Sequence, residues 1–495
     1  MTHYILSIDQ GTTGTTALLM DHDLNVVSKI NHEFPQHYPK PGWVEHDPEE
    51  IWGSVVKAIC DCLAHAKIDA KKIAGIGITN QRETTLLWER KSEKTLHKAI
   101  VWQDRRTHER CQQLKKEGKE KFVREKTGLV CDPYFSGTKL EWLLRGFPNV
   151  SRDPAKFCFG TIDSYLLWRL TGGAVHATDA TNASRTMLMN LKRCEWDEDL
   201  LKLFNVPKEI LPTICSNSEI YGRTKGVAGL PDGIPIAGMA GDQQAAMIGQ
   251  ACFEVGEAKC TYGTGSFILI NIGSEPKPSH HGCLTTLCYK LGNKTAYAYE
   301  GSAFIAGAAV QWLRDGLKII QKSSDVEKLA ASVPTSDGVV FVPAFVGLGA
   351  PHWNAQARGL ITGITRGTTQ AHIARATLEG IAFCQYDILE AMTKDLGKPL
   401  TILKVDGGAA ANNLLMQFQS ELLQVPISRS AILETTALGA AFLAGLAVGV
   451  WKDLKDIRKS WKEEQRFTPS MSKGTGCPEN LAAKITAWRE AVAKA

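Results

Sequence analysis

The chain has no long apolar run, no C-x-x-C pair and no cluster of basic residues. The first absence argues against a membrane-spanning helix, which needs about 20 consecutive apolar residues. The 13 cysteines are odd in number and scattered, which argues against a disulfide framework and a tetrahedral zinc site. A net charge of +5 over 495 residues is too small to indicate a nucleic-acid partner. We therefore expect a cytoplasmic protein without membrane insertion.

The two commonest nucleotide-binding loops are also missing. Neither G-x-x-x-x-G-K-[ST] nor G-x-G-x-x-G occurs. Two other Gly/Thr turns are present, at 11–16 and 262–265. Glycine lets a backbone approach an anion closely, and hydroxyl and N–H groups of such turns can converge on a phosphate. Each turn taken alone fits an ordinary hairpin equally well.

Three acidic residues stand where a predicted strand ends. Asp242 follows the apolar run 234–241 and precedes a predicted helix, where an unpaired charge is costly. It could be a functional group, the N-cap of that helix, or both, since the two roles are compatible. Asp9 could hold Mg²⁺ through water or accept hydrogen bonds in an Asx turn. Asp406 begins an Asp-Gly-Gly turn of the kind that admits a nucleotide against the backbone.

Hairpins followed by crossover helices occur in both halves of the chain. This pattern predicts a duplicated α/β domain with a cleft between the copies. We place the domains at 1–250 and 251–495, the first with the substrate and a phosphate turn, the second with the nucleotide. The predicted strands are 4–9, 16–20, 25–34, 72–79, 257–262, 266–272, 338–343 and 401–405, and the main predicted helices are 48–66, with Asp47 as its N-cap and Pro48 at the first helical position, 369–395, 412–423 and 480–493.

Polar and aromatic residues follow the predicted strand 72–79. Arg82 and Glu83 combine a hydrogen-bond donor with an acceptor, although a surface ion pair is the simpler interpretation of the two alone. Trp102, Tyr134 and Phe267 taken singly are best explained as core residues.

Together these segments resemble the glycerol-phosphorylating members of the FGGY carbohydrate-kinase family, over nearly the whole chain. Any one motif is weak, but their order and spacing are specific. The motifs are DQGTT (9–13), PGWVEHD (41–47), ITNQRET (78–84), FGTID (159–163), TNASR (181–185), GDQQA (241–245), YGTG (262–265), DGG (406–408) and ETTALG (434–439).

The resemblance implies an actin-like ATPase fold, with two ribonuclease-H-like domains that close on ATP and substrate. It implies ATP-dependent phosphorylation of glycerol to sn-glycerol 3-phosphate in glycerol catabolism, with Mg²⁺, in a homodimer or homotetramer. A pentulose kinase of the same fold and an actin-fold ATPase without a small acceptor are the alternatives.

The resemblance also implies residue roles. Asp242 is the expected general base, and Asp9 the expected metal-binding residue. The expected glycerol-binding residues are Arg82, Glu83, Trp102, Tyr134, Asp242, Gln243 and Phe267. The expected nucleotide-binding residues are Thr12, Thr13, Gly14, Thr264, Gly307, Gln311, Gly408 and Asn412.

Two positions depart from the family pattern. Relatives often carry an arginine where this chain has Thr16, so a positive charge near the phosphates is missing. Allosteric bacterial relatives bind fructose 1,6-bisphosphate through a Gly/Arg loop before the catalytic strand. The corresponding loop 227–233 has no arginine and carries an acid, so we expect no such inhibition.

Overall fold

The fold is built around two β-sheets, one from each half of the chain. The computed structural model describes residues 4–354, 356–470 and 481–495. None of the helices in these ranges combines the length and apolar character that a membrane span requires.

The strands of the described residues form two large sheets and several two-stranded ones. In chain order they are β1 (Tyr4–Gln10), β2 (Gly14–Asp21), β3 (Val26–Glu33), β4 (Glu45–His46), β5 (Ile73–Asn80), β6 (Leu86–Glu89), β7 (Ala99–Ile100), β8 (Phe157–Gly160), β9 (Ala177–Asp179), β10 (Met189–Asn190), β11 (Glu195–Trp196), β12 (Thr213–Cys215), β13 (Ser218–Arg223), β14 (Pro235–Gly241), β15 (Glu257–Tyr262), β16 (Ser266–Gly273), β17 (Leu284–Leu291), β18 (Lys294–Ala303), β19 (Val340–Val342), β20 (Leu360–Thr362), β21 (Ile402–Asp406), β22 (Ile427–Ser430) and β23 (Glu463–Phe467).

Helices connect these strands and cover the sheets. They are α1 (Pro48–Ala66), α2 (His108–Lys116), α3 (Lys119–Thr127), α4 (Ser136–Gly146), α5 (Pro148–Arg152), α6 (Ile162–Leu170), α7 (Ala180–Ala183), α8 (Glu198–Leu203), α9 (Asp242–Gly249), α10 (Gly307–Asp315), α11 (Asp325–Ala331), α12 (Gln370–Leu396), α13 (Asn413–Leu423), α14 (Thr435–Ala447), α15 (Leu454–Ser460) and α16 (Leu481–Val492).

The two sheets share one plan. The first has the strand order β13-β14-β5-β1-β2-β3, and the second has the order β17-β18-β16-β15-β21-β22-β23. In each sheet an antiparallel hairpin, β1–β2 or β15–β16, is extended by a strand parallel to its first member, β5 or β21. A further parallel strand follows, β14 or β22. The predicted duplicated α/β architecture is therefore confirmed.

Most predicted elements form within one or two residues of their expected bounds. Helix α1 begins as its sequence indicates, because the Asp47 side chain accepts a hydrogen bond from the Glu49 N–H and Pro48 occupies the first helical position. The strand expected over 338–343 forms as β19, but it pairs only with β20 in a separate two-stranded sheet. The helix expected over 480–493 is α16 from Leu481 onward, and residue 480 lies outside the described residues.

Helices α9 and α14 lie between the two sheets and touch through their backbones. A Cβ atom on Gly439 would lie 1.8 Å from the Ala245 carbonyl oxygen, and one on Gly249 would lie 1.9 Å from that of Thr435. Any side chain at either glycine would therefore force the two helices apart.

Helix α14 comes from the second half of the chain but packs against the first sheet. The Ser7 hydroxyl on β1 donates to the Ala437 carbonyl at 2.7 Å. A Cβ atom on Gly77 of β5 would lie 2.2 Å from the Ala440 carbonyl oxygen. The core between the sheets thus combines Ile5 of β1 and Leu269 of β16 with residues of both helices. Each half of the chain therefore completes the core of the other.

A long insertion separates β5 from β14 and contains α2–α8. It carries Trp102 and Tyr134 to the end of the first sheet, where β5 and β14 both end. The site described below forms at this edge.

Candidate active site

Strand β14 delivers Asp242 to the cleft. The strand ends at Gly241, and Asp242 is the first residue of α9. Its N-cap is Gly241, so the alternative interpretation of Asp242 as the N-cap is wrong. A Cβ atom at Gly241 would lie 2.7 Å from the Arg82 side chain, so glycine is needed for that arginine to lie beside Asp242. The Asp242 side chain remains 31% exposed and open to a ligand.

Arg82 is the centre of a buried polar network. Its Nε lies 3.0 Å from Asp242 Oδ1 in an ion pair. Its two terminal nitrogens each donate to one carboxylate oxygen of Glu300, both at 2.8 Å. One of these nitrogens also contacts the Tyr134 hydroxyl at 3.4 Å. Arg82 is only 2% exposed, so the interpretation of Arg82 and Glu83 as a surface ion pair is wrong.

Glu83 pairs mainly with a different arginine. Its Oε1 accepts a hydrogen bond from Arg185 Nε at 2.6 Å, whereas the Arg82 Nε atom is 3.9 Å away. The Glu83 backbone has φ of +61°, a strained conformation for a residue with a side chain. Its carbonyl is fixed by hydroxyl donors from Ser136 and Thr85, both at 3.0 Å. The turn after β5 therefore holds Glu83 rigidly beside Arg82.

An aromatic wall faces these charged residues. The Trp102 ring makes edge contacts with Tyr134 at 5.7 Å and with Phe267 at 6.4 Å between centroids. The Trp102 indole N–H donates to the Thr12 hydroxyl at 2.9 Å, which ties the wall to the first Gly/Thr turn. The three aromatics, interpreted singly as core residues, are only partly buried here and belong to one cluster. They give the cleft an apolar side opposite its polar side.

Gln243 is oriented by a buried lysine. The Lys259 ammonium donates to Gln243 Oε1 and, at 3.1 Å, to the Thr261 hydroxyl. Burial lowers the pKa of Lys259, although Asp406 and Asp242 oppose this effect. Because the ammonium occupies the amide oxygen, Gln243 turns its NH₂ group away from Lys259, as a donor for a ligand.

The second domain contributes a separate cleft of about 390 Å³, within the range of small-molecule sites. The helix α10 N-terminus closes on the second Gly/Thr turn, where the Gly307 N–H donates to the Gly263 carbonyl at 2.9 Å. The Asn412 side-chain oxygen caps α13 by accepting from the Leu415 N–H at 2.8 Å, so its NH₂ group remains for a ligand. All five second-domain residues predicted to bind nucleotide line this cleft: Thr264, Gly307, Gln311, Gly408 and Asn412.

The first Gly/Thr turn joins β1 to β2. The Gly11 N–H donates to the Gly14 carbonyl at 2.9 Å, which closes the turn and leaves Thr13 exposed. A Cβ atom at Gly14 would lie 2.9 Å from the His32 carbonyl oxygen. Thr12, Thr13 and Gly14 do not line the second-domain cleft. Thr12 instead joins the first Gly/Thr turn to the aromatic wall.

Asp9 lies near two other acids at the end of β1. Burial, together with the negative charges of Asp242 and Glu434, raises its pKa to about 7. Its carboxylate has no hydrogen bond or ion pair within the described parts of the chain. Those parts also contain no group of three or more His, Cys, Asp or Glu side chains that could hold a metal ion by themselves. Mg²⁺, however, needs only one or two carboxylates together with substrate phosphates, so Asp9 fits that ion.

Comparison with known proteins identifies the family. The model for the N-terminal domain of the FGGY family of carbohydrate kinases matches residues 4–249, and the model for the C-terminal domain matches residues 258–448. The chain belongs to the FGGY family of carbohydrate kinases.

Individual members of this family match over the full chain. A glycerol kinase of Myxococcus xanthus (strain DK1622) is 56% identical, over 99% of both chains. The crystal structure of Plasmodium falciparum glycerol kinase with ADP superposes with a TM-score of 0.92 at 40% identity, over 100% of this chain and 98% of that one. A gluconate kinase from Lactobacillus acidophilus is more distant, with a TM-score of 0.88 and 27% identity over 99% and 97% of the two chains.

Three residues of this FGGY-family site carry no role in the sequence prediction. Glu300 and Lys259 lie on strands of the second sheet, and Arg185 follows α7, so their proximity to Arg82 and Gln243 depends on tertiary structure. Arg185 is part of the TNASR motif, and Lys259 stands close to YGTG. The available signal for Glu300 is that it is the only charged residue between Thr295 and Phe304.

Proposed function

We propose that the protein transfers the γ-phosphoryl group of ATP to a terminal hydroxyl of glycerol, giving sn-glycerol 3-phosphate and ADP. The observation that carries this proposal is the Arg82–Asp242 ion pair, which faces an aromatic wall and adjoins the Gly/Thr turns. The full-length similarity to glycerol kinases at more than half identity supports glycerol over the larger sugars. We further propose a role in glycerol catabolism.

Asp242 is the proposed general base. Its carboxylate accepts the proton of the reacting hydroxyl as the alkoxide oxygen forms a bond to the γ-phosphorus. The bond between that phosphorus and the oxygen bridging it to the β-phosphate breaks, and ADP leaves with the electron pair. Phosphoryl transfer depends mainly on alignment and charge stabilisation, so the task of the protein is to hold this geometry.

The remaining substrate contacts follow from the chemistry of glycerol. Each hydroxyl needs a partner, and Arg82, Glu83, Tyr134 and Gln243 supply donors and acceptors around Asp242. Trp102 and Phe267 provide an apolar surface for the carbon chain. A site that pairs every hydroxyl discriminates strongly against analogues that lack one.

The nucleotide is proposed to bind in the second-domain cleft, with its phosphates toward the first Gly/Thr turn. Thr12, Thr13 and Gly14 offer phosphate contacts from the first domain. The second domain offers Thr264, Gly307, Gln311, Gly408 and Asn412. Asp9 would hold Mg²⁺ with these phosphates, and the ion would supply positive charge to the transferring group.

We propose domains at 1–250 and 251–495, consistent with the ranges of the two family models. We also propose a cytoplasmic homodimer or homotetramer, with no nucleic-acid partner and no insertion into a membrane.

The test is ADP release from Mg-ATP with glycerol, D-xylulose, D-ribulose, gluconate or no acceptor. We expect turnover with glycerol, and a loss of about 10²–10⁴-fold in kcat for Asp242→Asn because the general base is removed. Turnover with a sugar instead of glycerol would contradict the substrate assignment. A rate of ATP hydrolysis that is the same with and without all four compounds would indicate an actin-fold ATPase without a small acceptor.

A further inference from the structure

Glu300 reaches the substrate site from the opposite half of the molecule. It lies on β18 of the second sheet, whereas Arg82 and Arg185 belong to the first half of the chain. Its side chain is almost completely buried. The contact between Glu300 and Arg82 is therefore a direct link between the second domain and the proposed glycerol site.

The geometry of this contact fixes the whole guanidinium group. Two parallel hydrogen bonds, both of 2.8 Å, join the two terminal nitrogens of Arg82 to the two carboxylate oxygens of Glu300. A guanidinium is planar, so two such bonds determine the position of its third nitrogen. That nitrogen, Nε, is the one that lies 3.0 Å from Asp242.

The charges around Arg82 are balanced by the same contact. Burial alone would raise the pKa of Glu300, but Arg185 and Arg82 outweigh it and lower the value to about 2. Glu300 is therefore ionised and shares the charge of both arginines. The charged groups that face Asp242 are then Arg82, already paired with Glu300, together with Lys259 and Asp9.

We propose that Glu300 is a positioning residue for phosphoryl transfer. Glu300 holds the Arg82 guanidinium in place beside Asp242 and shares its positive charge, so that the full arginine charge does not act on Asp242. The inference rests on the proposed function. It adds a role for the second domain, which on this view orients the acceptor site as well as binding the nucleotide. A purely structural link between domains would predict loss of stability only.

The proposed role predicts how Glu300→Gln differs from wild type. The amide cannot form the charged pair of bonds, so Arg82 turns toward Asp242 and carries its whole charge to it. We expect the glycerol KM to rise at least about tenfold. The ATP KM should stay within about twofold, since Glu300 is outside the nucleotide cleft.

Glu379→Gln is the matched control. Glu379 is also a buried acid, and it bonds Ser336, Arg375 and Lys484 within the second half of the chain. It should affect stability without moving the glycerol KM. Wild-type values for Glu300→Gln in a folded enzyme would overturn the inference.

Removing one partner of a buried ion pair is strongly destabilising, so a second variant guards against loss of the fold. Glu300→Asp keeps the charge but shortens the side chain, which breaks the paired hydrogen bonds. It should raise the glycerol KM, and a wild-type glycerol KM for this variant would overturn the inference. If wild-type enzyme shows no glycerol-dependent turnover, the proposed function itself fails, which is a different result from normal turnover that Glu300 does not influence.

Discussion

Lys259 offers a direct test of how the site orients its polar groups. The ammonium is completely buried on β15 and donates to Gln243 Oε1. Replacing the lysine by methionine keeps much of its volume but leaves the amide oxygen without that donor. Gln243 is then free to rotate, and its NH₂ group is no longer held in a fixed position toward the proposed glycerol site.

The magnitude follows from the lost hydrogen bond. A hydrogen bond to a charged group contributes about 1.5–3 kcal/mol. If that energy is lost from glycerol binding, the glycerol KM of Lys259→Met rises roughly 10- to 150-fold, since about 1.4 kcal/mol corresponds to tenfold. The assay is steady-state ADP release with glycerol varied at saturating ATP, and then with ATP varied.

Lys404 provides a matched control. It is the register partner of Lys259 on the neighbouring strand β21 and is also buried. Its ammonium, however, donates to the Gln250 carbonyl at 2.6 Å, just beyond the other end of α9. Lys404→Met should therefore reduce stability without a selective effect on glycerol. A glycerol KM for Lys259→Met within about twofold of that for Lys404→Met would refute the reasoning.

Four further predictions concern packing, phosphate binding, pH and regulation. Gly439→Ala should destabilise the protein by at least about 1–3 kcal/mol in thermal unfolding, because the added Cβ would clash with backbone atoms. Gly53→Ala is the control, since the Cβ would point into open space on α1, and it should stabilise the protein by about 0.5–1 kcal/mol. Thr16→Arg should lower the ATP KM, roughly fivefold for about 1 kcal/mol of added phosphate contact, and an unchanged or raised KM would contradict this. Burial lowers the pKa of Lys139 to about 7, below its value in the unfolded chain, so the destabilisation caused by the buried ammonium is full below about pH 7 and shrinks as the pH rises. The unfolding free energy of wild type should therefore increase relative to that of Lys139→Met between about pH 7 and 10. Parallel curves of unfolding free energy against pH would count against this prediction. Because loop 227–233 lacks arginine, fructose 1,6-bisphosphate should leave activity unchanged at neutral pH, and saturable inhibition would overturn this expectation.

Local sequence predicted the elements of the fold better than their partners. Helix α1 and strand β5 follow from capping residues and apolar runs, which act within a few residues of the chain. By contrast, β19 was expected as an ordinary strand, and only tertiary structure determines that it pairs with β20 outside the main sheets. Pairing depends on which edges meet, and this is not encoded in a short segment.

The same distinction applies to the site. Arg82 and Glu83 could be expected to lie together because they are adjacent in a strand-end turn, but the sequence did not predict that each has its strongest partner elsewhere. Glu300 and Arg185 become partners only when the two sheets meet around α9 and α14. Buried charges select partners by three-dimensional proximity, so spacing along the chain gives little indication of them.

The position of α14 has a consequence for synthesis of the chain. The first sheet is complete once β14 has been translated, but the helix that covers one of its faces lies at 435–447. At a translation rate of about 5–20 residues per second, roughly 10 to 40 s pass before α14 has been synthesised, and apolar residues of that face such as Ile5 and Leu18 stay uncovered during this time. The nascent first half is therefore a natural client for chaperones, and it reaches its final packing only when translation of the second half is nearly complete.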